Sequence, residues 1–102
     1  WREAVSYIKD NVKSNSIILF NSPHTLLPFW YYYGDADNMF GVYNATQAAE
    51  LSANKNDVWL ILSFDKYYDP KGTIKKYLES KYILDKEKNF FDIKILHFIK
   101  TE

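Results

Sequence analysis

The chain has 102 residues, long enough for one domain with its own core and too short for two ordinary ones, and its 47% apolar and 25% charged residues place it among globular rather than disordered chains. Thirteen basic and 13 acidic side chains cancel, which removes the basic footprint expected of a nucleic-acid binder. Cys is absent, so disulfides, thiol nucleophiles and Cys-based metal sites are excluded.

In chain order, Trp1, Ala4, Val5, Ile8 and Val12 fall at helical spacing and predict an amphipathic helix over residues 1–12. It starts abruptly at Trp1, with no Met, as expected of a piece excised from a larger protein where a domain begins. After the break at residues 13–15, Ile17-Ile18-Leu19-Phe20 is a short continuous apolar run, typical of a central parallel strand covered on both faces. Asn21-Ser22-Pro23 ends it with turn chemistry. Residues 25–33 predict a short helix that Pro28 enters within its first turn and Gly34 ends, and 35–38 a polar loop. The longest apolar run, 26–33, is interrupted by Pro28 and falls well short of the roughly 20 residues a spanning helix needs.

Residues 39–43 predict a second strand, 45–53 a helix with Asn44 or Thr46 near its cap, and 58–64 a buried third strand. Asp69-Pro70-Lys71-Gly72 marks a turn, after which Thr73 is the expected cap of a helix carrying Ile74, Tyr77 and Leu78 at helical spacing. Residues 82–84 and 91–99 read as two strands of an antiparallel hairpin, joined through the charged segment 85–89. The expected architecture is a three-layer, Rossmann-like α/β sandwich, with parallel strands in order 2-1-3 and the hairpin beyond the third.

In an open α/β sheet, ligands favour the carboxyl ends of the parallel strands where strand order reverses. Those ends carry Asn21, Ser22 and His24 after the first strand and Ser63 and Asp65 at the third, the candidate ligand-binding cluster. Turns at strand ends carry the same residue types for conformational reasons. Ser22, His24 and Asp65 also form a conceivable nucleophile, base and orienting acid, although Ser22 precedes Pro23 and lacks the small-residue elbow of hydrolases. No glycine follows the first strand, so the phosphate cradle of dinucleotide domains is missing and no cofactor is expected. His24 and His97 lack a third ligand at metal-site spacing, and His97, inside a strand, reads as a structural imidazole.

Aromatics make up 19% of the chain, more than a core this small can hide. Trp30, Tyr31, Tyr32 and Tyr33 are therefore candidates for docking to a glycan, a membrane surface or another domain, beside the ordinary packing role. Asn44-Ala45-Thr46 satisfies the Asn-x-Thr pattern at a strand-to-helix turn, a candidate glycan acceptor where the chain faces outside the cytoplasm and otherwise a helix cap.

Trp1-Arg2-Glu3-Ala4-Val5-Ser6-Tyr7-Ile8-Lys9, the strand 17–20, Pro28-Phe29-Trp30-Tyr31-Tyr32-Tyr33, Val58-Trp59-Leu60-Ile61-Leu62 and the late hairpin carry a resemblance over most of the chain. The chain resembles the soluble C-terminal domain of polytopic, lipid-phosphosugar-dependent glycosyltransferases of the protein-mannosyltransferase type. The resemblance implies a non-catalytic domain on the extracytoplasmic face, following the last membrane span. Its partners would be the membrane region of the same polypeptide and a glycan or protein acceptor. In that family the catalytic residues belong to the membrane region, so none is carried over. The alternative expectation is a stand-alone small-ligand-binding or adaptor domain.

Overall fold

The computed structural model describes residues 2–12, 16–21, 29, 31, 33, 38–63, 72–90 and 93–100. The elements are α1 (Arg2–Asn11), β1 (Ile17–Phe20), β2 (Met39–Gly41), α2 (Ala45–Ser52), β3 (Asp57–Ser63), α3 (Thr73–Lys81), β4 (Tyr82–Phe90) and β5 (Ile93–Lys100). Phe29, Tyr31 and Tyr33 are helical, which fits the short helix predicted over 25–33; the rest of that segment lies outside the described residues.

The five strands form one mixed sheet in the order β2-β1-β3-β5-β4. β1 runs parallel to both β2 and β3, so the parallel order 2-1-3 is as the sequence predicts, and β5 and β4 add the antiparallel hairpin beyond β3. β1 and β3 are buried along their whole length, as two-sided burial of a continuous apolar run requires. Strand alternation divides their side chains between two cores. Ile18, Phe20, Trp59, Ile61 and Ile95 pack with Ala4, Val5 and Ile8 of α1 and with Phe29. On the other face Ile17, Leu19, Leu60, Leu96 and Phe98 pack with Ala48 of α2 and Ile74 and Leu78 of α3. Each such aliphatic side chain contributes roughly 1.5–3 kcal/mol by leaving water. Among the described residues, no helix is long and apolar enough to cross a membrane.

Three boundaries differ from the sequence expectation for local reasons. β2 ends at Gly41, not at 43, because the Tyr43 N–H turns to the Gln47 side chain at 2.6 Å while Asn44 takes the cap of α2. At α3 the cap position is Gly72, in left-handed conformation with φ 65°, and Thr73 is the first helical residue. The largest correction concerns residues 85–89, expected as a connection: they lie inside the nine-residue β4. β4 is an edge strand exposed for most of its length, and both its faces are wet. Charged residues suit it there, and Lys side chains discourage unwanted pairing along the open edge.

α3 passes into β4 with no intervening loop residue, and the first strand residue, Tyr82, ties this corner to α2. Its hydroxyl lies 3.0 Å from both the Ser52 and the Lys55 carbonyl oxygens, and its single proton is shared between them. These carbonyls belong to the turn that ends α2, where Asn54 adopts φ 66°. Tyr82→Phe removes that donor and is expected to cost about 1 kcal/mol in urea unfolding. Burial raises the Tyr82 pKa above the ordinary value near 10. Because the folded value is the higher one, this contribution is complete below about pH 10 and is lost as pH rises through the folded value. The wild-type and Tyr82→Phe unfolding curves should therefore converge on the alkaline side, a comparison that checks both statements.

Candidate functional site

At the carboxyl ends of the parallel strands, the sequence cluster is represented by Asn21 and Ser63, both buried. Asn21 follows β1 and faces the end of β3. Its Nδ2 donates to the Ser63 carbonyl at 2.9 Å, and the Ser63 N–H donates to Asn21 Oδ1 at 3.3 Å. The side-chain amide thus behaves as an extra peptide unit that continues the β1–β3 ladder past Phe20. Both polar atoms of Asn21 are committed to strand pairing at the point where strand order reverses. Ser22, His24 and Asp65, the rest of the cluster and all three members of the conceivable triad, lie outside the described residues.

The amino ends hold a more extensive arrangement. The Asn38 carbonyl accepts from the Ile18 N–H at 2.8 Å, and Asn38 Nδ2 donates to the Ser16 carbonyl at 2.9 Å. The Ser16 hydroxyl donates to Asp57 Oδ1 at 2.7 Å, and Asp57 Oδ2 lies 2.7 Å from His97 Nε2. On the far side of the ring, His97 Nδ1 lies 3.1 Å from Asp85 Oδ2. One polar row therefore crosses the sheet from the start of β2 to β4, and Ser16, Asp57 and His97 are buried within it.

Local backbone features aim these side chains. Asp57 opens β3 opposite Ile99, which makes His97 its diagonal neighbour on the same face. Asp85 is the residue left without a partner where the β4–β5 register shifts between Leu84 and Lys86. The bulge leaves Asp85 outside the ladder pairing while its carboxylate stays on the His97 face of the sheet. Trp59 stacks on His97 with centroids 4.0 Å apart and planes 10° apart, and Tyr7 of α1 meets Trp59 edge-on. The imidazole is walled by indole and held at both nitrogens.

This arrangement favours bracing over chemistry. Ser16 donates to Asp57 and not to His97, so the hydroxyl has no imidazole base to activate it, as nucleophilic catalysis would require. A neutral imidazole carries one N–H and one lone pair, so both carboxylate contacts are hydrogen bonds only when a further proton resides on the ring or a carboxyl. The two carboxylates also sit on opposite nitrogens and cannot converge on one ion. Among the described residues no three His, Cys, Asp or Glu side chains form a metal site. Sequence reading treats His97 as a structural imidazole but does not find Ser16, Asp57 or Asp85. The available signal was the placement of polar residues in or beside fully apolar strands, where burial demands a partner.

The aromatic burst divides by helix geometry. Phe29 is fully buried, and Tyr33, four residues on, stacks against it with centroids 5.1 Å apart. Burial raises the Tyr33 pKa, and the Lys9 ammonium lies 5.7 Å from its ring centroid. Tyr31 points away from the core and is 77% exposed. Trp30 and Tyr32 lie outside the described residues. Asn44 is exposed and caps α2 by accepting from the Gln47 N–H at 2.9 Å, so the cap is Asn44 and not Thr46. Beside it an open cleft of about 270 Å³ is lined by Gly41, Gln47, Glu50 and Leu51.

Two substitutions series test these assignments. His97→Ala leaves the buried Asp57 carboxylate without its imidazole and is expected to cost about 3 kcal/mol in chemical unfolding. Asp85→Ala, at a side chain 37% exposed, is expected to cost no more than about 1 kcal/mol. Equal losses would contradict the bracing order. Asn21→Ala, which strands a buried N–H and a carbonyl of Ser63, is expected to cost roughly 2–3 kcal/mol. Set against known proteins, the chain matches no family model, no curated protein and no solved structure.

Proposed function

We propose that this chain is a non-catalytic, extracytoplasmic domain of a membrane glycosyltransferase that uses a lipid-phosphate-linked sugar. In this reading it is a Rossmann-like module C-terminal to the membrane region, and it assists acceptor recognition or steadies the membrane part. The observation that carries the reading is the commitment of the described polar side chains at the two ends of the sheet to strand bracing. Asn21 is spent on Ser63, and both His97 nitrogens are spent on carboxylates. Such a domain supports a site supplied elsewhere. Two of the hydrophobic signatures behind the resemblance, 17–20 and 58–62, lie in β1 and β3, the buried centre of the sheet. Tyr31 and Tyr43, both strongly exposed, offer amphipathic rings of the kind that stack on sugars or sit at a membrane interface.

A second reading, a small-ligand-binding or adaptor domain, draws on the cleft lined by Gly41, Gln47, Glu50 and Leu51. Its volume approaches the lower end of small-molecule pockets.

The test is to supply the isolated, folded chain with polyprenyl-phosphate sugars and acceptor peptides. The expected outcome is cooperative unfolding behaviour and no sugar transfer; turnover without a membrane region would sink the proposal. In the same samples, glycan-induced shifts at the Tyr31 and Tyr43 rings support acceptor recognition. Small-molecule shifts confined to Gln47 and Glu50 favour the second reading.

A further inference from the structure

We propose that Asn44 is an N-glycan acceptor whose modification leaves the cap of α2 intact. The assignment rests on the extracytoplasmic placement above for its access to a glycan donor, and on the geometry of the Asn44-Ala45-Thr46 triplet for its competence. The triplet is the sole Asn-x-Ser/Thr in the sequence with a non-proline middle residue and no proline after it. Asn44 has extended backbone, φ −155° and ψ 171°, and both Asn44 and Thr46 are exposed at the corner between β2 and α2.

The two ends of the Asn44 amide have separate tasks. Oδ1 accepts the Gln47 N–H at 2.9 Å, and the Gln47 side chain reaches back to accept the Tyr43 N–H at 2.6 Å, which holds the turn from both sides. Nδ2 donates to no group among the described residues, and neither does the Thr46 hydroxyl. Glycan transfer uses the nitrogen. Nδ2 attacks the anomeric carbon of a lipid-pyrophosphate-linked oligosaccharide bound by a transferase, and a new N–C bond forms. The bond from that carbon to the phosphate oxygen breaks, the lipid pyrophosphate leaves with the electron pair, and the amide nitrogen gives one proton to a base of the transferase. The product is a secondary amide whose oxygen remains an acceptor, so the Gln47 bond survives. The helix end constrains the oxygen, while the sugar is carried on the side that faces water.

The experiment directs the full chain, behind a cleavable secretion signal, through a cell that performs N-glycosylation, and reads the intact mass of the protein recovered from the medium. The expected result is a glycan-sized mass increment removed by peptide N-glycosidase, absent from Asn44→Gln and from Thr46→Val, and retained in Thr46→Ser. Protection of the Gln47 amide against hydrogen exchange should be the same with and without the glycan; loss of protection on glycosylation would overturn the division of labour between the two amide atoms. Secreted chain that is wholly unmodified would overturn the assignment of Asn44 itself. Labelling of intact cells that make the protein with a membrane-impermeant amine reagent reads the placement separately: a chain glycosylated when secreted but shielded from the reagent would overturn the extracytoplasmic placement and leave the competence of Asn44 standing.

Discussion

The polar row that runs from Asn38 through Ser16, Asp57 and His97 to Asp85 is the constraint on which the rest of the sheet depends. Each contact joins groups on, or immediately ahead of, different strands, so the row can be satisfied only when β2, β1, β3, β5 and β4 stand in the observed order and register. Apolar packing tolerates sliding far better than hydrogen bonding does, because dispersion and water exclusion carry little directional information. A one-residue slip of β5 would carry His97 to the opposite face and leave Asp57 buried without it. The buried polar groups therefore act as register pins within two otherwise interchangeable hydrophobic layers.

The same row reaches the exposed edge. Continued without a shift, the Leu84–Phe98 register would set Asp85 opposite His97 on the same face of the sheet. The bulge passes the ladder pairing with His97 to Lys86 while the Asp85 carboxylate keeps its contact with the ring. It also interrupts the edge as a template for another strand, which, with Lys86 and Lys88 nearby, keeps a long open edge from pairing indiscriminately. One extra residue thus makes the edge irregular without removing the carboxylate from the imidazole. The indole of Trp59 completes the wall beside His97, and its buried Nε1–H has no hydrogen-bond partner among the described residues.

Function follows from where polarity is spent and where aromatic surface is left. The described polar groups at the two sheet ends join strands, whereas Tyr31 and Tyr43 remain in contact with solvent. In the proposed function, such a division suits a domain that presents a surface to the membrane region or to an acceptor. Asn44 stands between these regimes, because one atom of its amide holds a helix and the other faces outward.

Much of the fold was legible because it rests on local periodicity. The continuous run 17–20 could only be a two-sided buried strand, the 3.6-residue spacing of Ala4, Val5 and Ile8 could only bury one helix stripe, and alternating turns with apolar runs gave the parallel order 2-1-3. The Asn44 motif was likewise readable, because a cap is a contact between residues three apart. The strand at 85–89 was not, since a charged edge strand lacks the apolar alternation by which strands are recognised and borrows its structure from β5. Nor were the partners of His97 legible. Ser16 and Asp57 are 41 positions apart, Asp57 and His97 are 40 apart, and Asp85 meets the ring from a strand whose charged sequence carries no strand pattern. Which segments bury which faces is written in the chain, because side-chain polarity and period are local properties. Which polar groups meet is a matter of the assembled sheet, because hydrogen bonding between distant strands depends on register, and register exists only once the sheet has formed.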